Sequence, residues 1–207
     1  MQDTKTVHRP KPVTLGIAIP FLLLLSACAV PQVEAPEVPE ELPRMAWAHK
    51  GLQGEQWTEA TLAALETEGA ELLSTVPADI GTWCPHYVQA EPEERAAFWA
   101  GLLSALARFE STWNPRAVGG GGQWFGLVQI APATARAYGC EADSGAELTD
   151  GSANLECAVE IASETVTRDG VVAAGGGGFA ADWGPFASAQ KRAQMAEWVS
   201  SQEYCTG

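Results

Sequence analysis

The 207-residue chain predicts a single, mainly α-helical domain braced by two disulfides and preceded by a leader and a tether. Three observations carry this expectation. From Pro92 onward, Phe98, Trp99, Leu102, Leu103, Leu106 and Phe109 recur at the spacing of a buried helical face. No segment shows the alternation of apolar and polar residues that a half-buried strand requires. Beyond Cys28 the cysteines are Cys84, Cys140, Cys157 and Cys205, an even set that suits two bridges in an exported chain.

Residues 1–27 read as a signal peptide. Lys5, Arg9 and Lys11 give a charged start, and the apolar run over residues 13–25 is too short for a convincing membrane span. The run ends in Leu25-Ser26-Ala27-Cys28, which resembles a bacterial lipobox. That resemblance implies cleavage before Cys28 and a lipid anchor on it, hence the cell envelope. Ala29 follows in place of Asp, which in a Gram-negative envelope implies the outer membrane, facing the periplasm. Residues 28–44 carry four prolines and four glutamates. Fixed φ angles, missing donors and like charges make this an extended tether.

Residues 45–83 are expected to be a helical first part of the domain, with one amphipathic helix over residues 55–74 turning Trp57, Leu62, Leu65, Leu72 and Leu73 inward. Pro92-Glu93-Glu94 opens the next helix, since proline suits a first turn and acids suit its positive end. Asn114-Pro115 stops it, because the residue before proline avoids helical geometry. A short helix over residues 134–138 ends at Gly139. Two more are expected over residues 154–167 and 187–202. The glycine runs at 119–122 and 175–178 lack the Lys-Ser/Thr of a phosphate cradle and read as flexible loops. Three disulfide connectivities are open. The favoured one joins Cys140 to Cys157 across a short loop and Cys84 to Cys205 at the ends of the domain.

A formal charge of −14 without any basic run argues against a nucleic-acid partner. His8, His49 and His86 are scattered, without metal-ligand spacing, and neither a metal nor a cofactor is implied. The chain is read as a monomer.

The chemistry centres on Glu110. Trp99, Leu103, Leu106 and Glu110 follow one helical stripe, so a carboxyl is placed on an apolar face in the last turn. Lost water and the negative end of the helix both favour its protonated form. A general acid working near neutral pH needs that shift.

The string around it is Glu-Ser-x-Trp-Asn-Pro-x-Ala from Glu110 to Ala117, then a glycine-rich loop, then Gly-Leu-Val-Gln-Ile-x-Pro-x-Thr-Ala from Gly126 to Ala135. It resembles the signature of the lytic transglycosylases, clearly from about residue 92 to 161. The resemblance implies a lysozyme-like domain over residues 84–207 that cleaves peptidoglycan strands between N-acetylmuramic acid and N-acetylglucosamine. It further implies a 1,6-anhydro product made with Glu110 as the single acid and base. Most glycosidases use two carboxylates, whereas one suffices when the substrate's own 6-hydroxyl attacks. Gln129 would fix a sugar acetamido or hydroxyl group, Ser111 would bond the Glu110 carboxyl or a backbone group, and Gly126 would let the chain approach the glycan. For Trp124 a core position is expected.

The sequence also departs from the family. Val128 replaces a methionine, and the later Ala-Tyr-Asn-Ala-Gly segment is missing; Phe179-Ala180-Ala181-Asp182-Trp183-Gly184-Pro185-Phe186 stands there instead. Trp183 or Asp182 would take over the absent tyrosine's role. Should Asp182 lie across the cleft, a muramidase using Glu110 and Asp182 becomes the alternative. An inactive peptidoglycan-binding lipoprotein is the remaining reading.

Overall fold

The computed structural model describes residues 41–207, so the signal peptide, the lipidation of Cys28 and most of the tether lie outside the described residues. After a short turn at Ala48–Lys50 come α1 (Leu52–Glu66), α2 (Ala70–Ser74), α3 (Ile80–Trp83) and the long α4 (Pro92–Glu110). A hairpin of β1 (Val118–Gly119) and β2 (Trp124–Phe125) precedes α5 (Pro132–Tyr138) and α6 (Gly151–Asp169). The chain closes with α7 (Phe179–Asp182), α8 (Ala189–Ser200) and α9 (Glu203–Thr206). The domain is mainly helical, as the sequence predicts.

The fold is arranged around α4. Every residue from Ala96 to Ala107 is buried, so this helix has no solvent face through its middle. A helix apolar all round must be surrounded, and α1, α2, α8 and α9 pack on it. Its start is fixed by a reciprocal capping box between Glu91 and Glu94, with Pro92 in the first turn. At Gly101 any Cβ would collide with the Tyr204 hydroxyl, so the residue's smallness is what seats α9 against α4.

An aromatic chain extends from this helix toward the site. The Trp99 ring stacks parallel on Phe179 at 6.0 Å, and Phe179 meets Trp183 at 5.1 Å. Trp99 Nε1 donates to the buried Tyr87 hydroxyl at 2.9 Å, so its one polar atom is satisfied. Trp47, Trp57, Leu65, Leu72 and Trp83 belong to the same core, which joins residues 45–83 to the rest of the domain.

Both favoured disulfides form, Cys84–Cys205 across 121 residues and Cys140–Cys157 across 17. In the chain-entropy picture the long closure contributes about 4–5 kcal/mol and the short one about 3.

Several expectations are corrected. The single helix over residues 55–74 is two, parted at Thr67, because Gly69 is buried so tightly on Leu65 and Val159 that the chain turns there. The last helix ends at Ser200, and a separate turn of helix, α9, carries Cys205 to its partner. α6 begins earlier than expected, at Gly151, because the Asp150 carboxylate caps it by accepting from the Ser152 and Ala153 amides. Strand pairing is present, though only two residues long on each side. The first glycine run is its turn. Gly120, Gly121 and Gly122 all hold positive φ, which a side chain would oppose. They build a tight connection where a flexible loop was expected.

Candidate active site

Glu110 is the last residue of α4, and its carboxyl is half-buried. Burial pushes its pKa up to about 7, while the Lys191 ammonium pulls in the opposite direction. The carboxyl is thus poised to give a proton near neutral pH. Ser111 does not touch it. Its hydroxyl donates to Ala107 O at 3.2 Å and accepts from the Asn114 amide at 3.2 Å, so it ties off the helix end. The backbone partner was one of the two foreseen, and it is the one realised.

The chain then turns sharply. Thr112 (φ +53°) and Trp113 (φ +56°) are left-handed, and Gln129 (φ +52°) is the third non-glycine residue of that kind among the described residues. All three lie in the motif. Such conformations cost about 1–3 kcal/mol each and persist where surrounding contacts over-determine them. Here Trp113 Nε1 donates to Ser104 O at 2.9 Å, anchoring the turn on α4 itself. Asn114 Oδ1 accepts from the Arg116 amide at 3.1 Å and starts the approach to β1.

Gln129 sits where β2, the following turn and α5 meet. Its Nε2 donates to Gly126 O at 2.9 Å and Ala117 O at 3.2 Å, so the amide's donor side holds the loop together. Its Oε1 lies against Gly119, where a Cβ would strike it. Gly126 is buried with φ +85°, and a Cβ there would collide with Leu148 O and the Asn154 side chain. A glycine is required, but the close approach it permits is to the start of α6; the expectation that it faces the glycan is corrected.

Asn154 is the residue that sequence reasoning missed. Fully buried, it accepts from the Val128 amide at 2.9 Å and donates to Phe125 O at 3.1 Å. An amide with both ends bonded fixes the loop as a backbone pairing would. In the sequence it stands only as an asparagine at the start of the helix expected over residues 154–167, with nothing to mark it as buried.

The opposing wall comes from residues 171–186. Trp183, expected to face substrate, is 3% exposed, and its Nε1 donates to Val128 O at 2.9 Å. It fastens the wall to the motif from beneath. Asp182 is exposed and accepts from the Tyr138 hydroxyl at 3.1 Å. It is Lys191, not Asp182, whose charge bears on Glu110. Trp124, expected in the core, is 46% exposed and lies over Gly120. With Gln129, Thr134, Asp182 and Trp183 it lines a small concavity of about 50 Å³. A much larger cavity of about 620 Å³, between Trp83, Phe186 and the alanine face of α8, includes no motif residue. Of the two, only the smaller one is lined by motif residues, Gln129 among them, although Glu110 itself does not line it.

A buried helix ending in a half-buried acid, beside a glycine-turned hairpin, defines a lysozyme-like glycan-cleaving class. The chain belongs to the transglycosylase SLT domain family, which matches residues 88–195. That family's enzymes are lytic transglycosylases acting on peptidoglycan strands. Among solved structures, Bd0314 DslA in its wild-type form 2 and in a glutamate-to-glutamine mutant are each similar at 28% identity and a TM-score of 0.73. A second glutamate-to-glutamine mutant of the same protein gives 27% and 0.71. Each match covers 81% of this chain and 100% of the other. No curated protein shows significant similarity.

Proposed function

We propose that this protein is a lytic transglycosylase that cleaves peptidoglycan between N-acetylmuramic acid and N-acetylglucosamine. Protonated Glu110 gives its proton to the glycosidic oxygen as the bond from C1 breaks. The resulting carboxylate takes the proton of the muramoyl 6-hydroxyl, whose oxygen closes on C1 to form the 1,6-anhydro ring. The same group serves as acid and then base, so a pKa near the working pH suits both steps. The single observation that carries this reading is the half-buried Glu110 at the end of α4, with its pKa pushed up to about 7 by burial against the pull of Lys191. Asp182, bonded with Tyr138, offers no support for a second catalytic carboxylate.

Ser111, Gly126, Gln129 and Trp183 hold the acid, the loop and the wall in register, and the exposed Trp124 meets the sugar. The protein works as a monomer anchored through a lipid on Cys28, at the outer membrane and facing the periplasm, with residues 28–44 as the tether. Digestion of purified peptidoglycan by a soluble chain starting at Gln32 tests the reaction, with Glu110→Gln beside it and mass spectrometry of the fragments. Anhydro ends, each lighter by one water than reducing ends, are expected from the parent alone. Reducing ends would sink the transglycosylase mechanism and bring back the hydrolase. Radiolabelled palmitate on the full-length chain but not on Cys28→Ala tests the anchor.

A further inference from the structure

Phe109 immediately precedes Glu110, and its half-buried ring carries two cations. The Arg108 guanidinium lies 5.5 Å from the ring centroid and the Lys191 ammonium 5.7 Å. They arrive from different elements. Arg108 is in the last turn of α4, and Lys191 is in the first turn of α8, where its amide donates to the Ser188 cap. Both side chains are exposed.

Neither cation makes a close ion pair, although the Lys191 charge does bear on the Glu110 carboxyl. Among the described residues the ion pairs are His86–Glu94 and Arg168–Asp169. Arg95, Arg136 and Arg192 give their N–H groups to main-chain carbonyls. Arg44, Lys50 and Arg116 also make no ion pair among the described residues, yet none of them lies over an aromatic ring. Arg108 and Lys191 converge on one ring, that of the residue before Glu110. A cation over an aromatic face keeps its outward N–H groups available while its position is restrained, which prepares it for an incoming anion.

We propose that Arg108 and Lys191, seated on Phe109, form a carboxylate-binding subsite beside Glu110 that takes the acidic peptide stems of the peptidoglycan strand. The inference rests on the peptidoglycan-cleaving reading above and adds the part of the substrate that is recognised. Strands that keep their stems are then preferred over bare glycan, and the preference weakens with salt because both cations are exposed.

The test is calorimetric binding of soluble glycan strands, with stems and after an amidase has removed them, to the protein carrying Glu110→Gln so that nothing is cleaved. A preference of about fivefold for the stem-bearing strand is expected at low salt, the scale of two exposed ion pairs. Lys191→Met with Arg108→Met removes that preference, and Lys191→Arg retains it. Equal weakening toward both strands in the double variant would overturn the subsite, as would a parent that binds both alike. A parent that binds neither strand overturns the peptidoglycan reading and the subsite together.

Discussion

The two walls of the site are built by different means. The motif side, from Glu110 to Ile130, is held mainly by short-range bonds within its own loop and to α4, with Asn154 of α6 reaching Val128 and Phe125 across 26 and 29 residues. Ser111 returns to Ala107, Trp113 to Ser104, and Gln129 to Gly126 and Ala117. The opposite wall, residues 171–186, depends on partners far along the chain. Asp79 accepts from the amides of Val172, Ala173 and Ala174 at 2.6, 3.0 and 2.9 Å, across 93 to 95 residues. Trp183 reaches Val128 across 55 residues, and Tyr138 reaches Asp182 across 44. One wall carries the proposed acid and is written mostly locally. The other gives the cleft its shape and is written at a distance.

Substitutions on the two walls should therefore fail differently. Glu110→Gln gives the largest effect, a loss of turnover of about 10²–10⁴-fold, the usual worth of a general acid and base, with the fold intact by circular dichroism. In the parent, activity should fall as pH rises through about 7, the value to which burial pushes the Glu110 pKa. A profile still rising at pH 8 would break the assignment.

Asp79→Ala acts from the other wall. Removing a carboxylate that accepts three backbone amides should cost about 2–4 kcal/mol in chemical denaturation, because each charge-assisted bond is worth more than a neutral one. Turnover should drop although no motif residue has changed. Trp183→Phe is milder, at about 1–3 kcal/mol, since it leaves the buried Val128 carbonyl without its donor. It should lower kcat more than it raises KM, as expected when the acid and the wall lose their register.

Stability measured against pH sharpens the contrast further. The folded-state pKa of Glu110 is raised above the ordinary 4.5, so its favourable contribution is complete below pH 4.5 and is lost as pH rises toward 7. Glu110→Gln should match the parent at acid pH and exceed it by about 1–2 kcal/mol at pH 8, after allowing for the screening of a half-buried group. Equal stability at both pH values would place the carboxyl in water. Tyr138→Phe has the smallest expected effect. It loses one exposed hydrogen bond, worth less than about 1 kcal/mol, and turnover should stay within about twofold. If it instead abolished turnover, Asp182 would have to be working in the reaction.

The same division decides what could be read from the chain. Glu110, its helix and its capping were legible, since periodicity, a proline-acid start and an Asn-Pro stop are signals between near neighbours. The disulfide partners were legible from an even count and from the ends they join. The glycine run at 119–122 was misread, because composition shows freedom but not the strand pairing that turns it into a hairpin. Trp124 and Trp183 were assigned to each other's settings, the first expected inside and the second at the surface. An indole's burial depends on the whole surroundings, and for Trp183 these include Val128, 55 residues away, as well as the nearby Phe179.

The sequence alone determined a helical domain, an acid at the end of its most apolar helix, and the count of cysteines available to brace it. Each of these follows from interactions spanning a turn or two of chain. Only the tertiary structure decided that Asn154 knits the loop, that Asp79 holds the far wall, and that Arg108 and Lys191 meet on Phe109. Those depend on which distant segments the folded core brings together, and no local pattern records that choice.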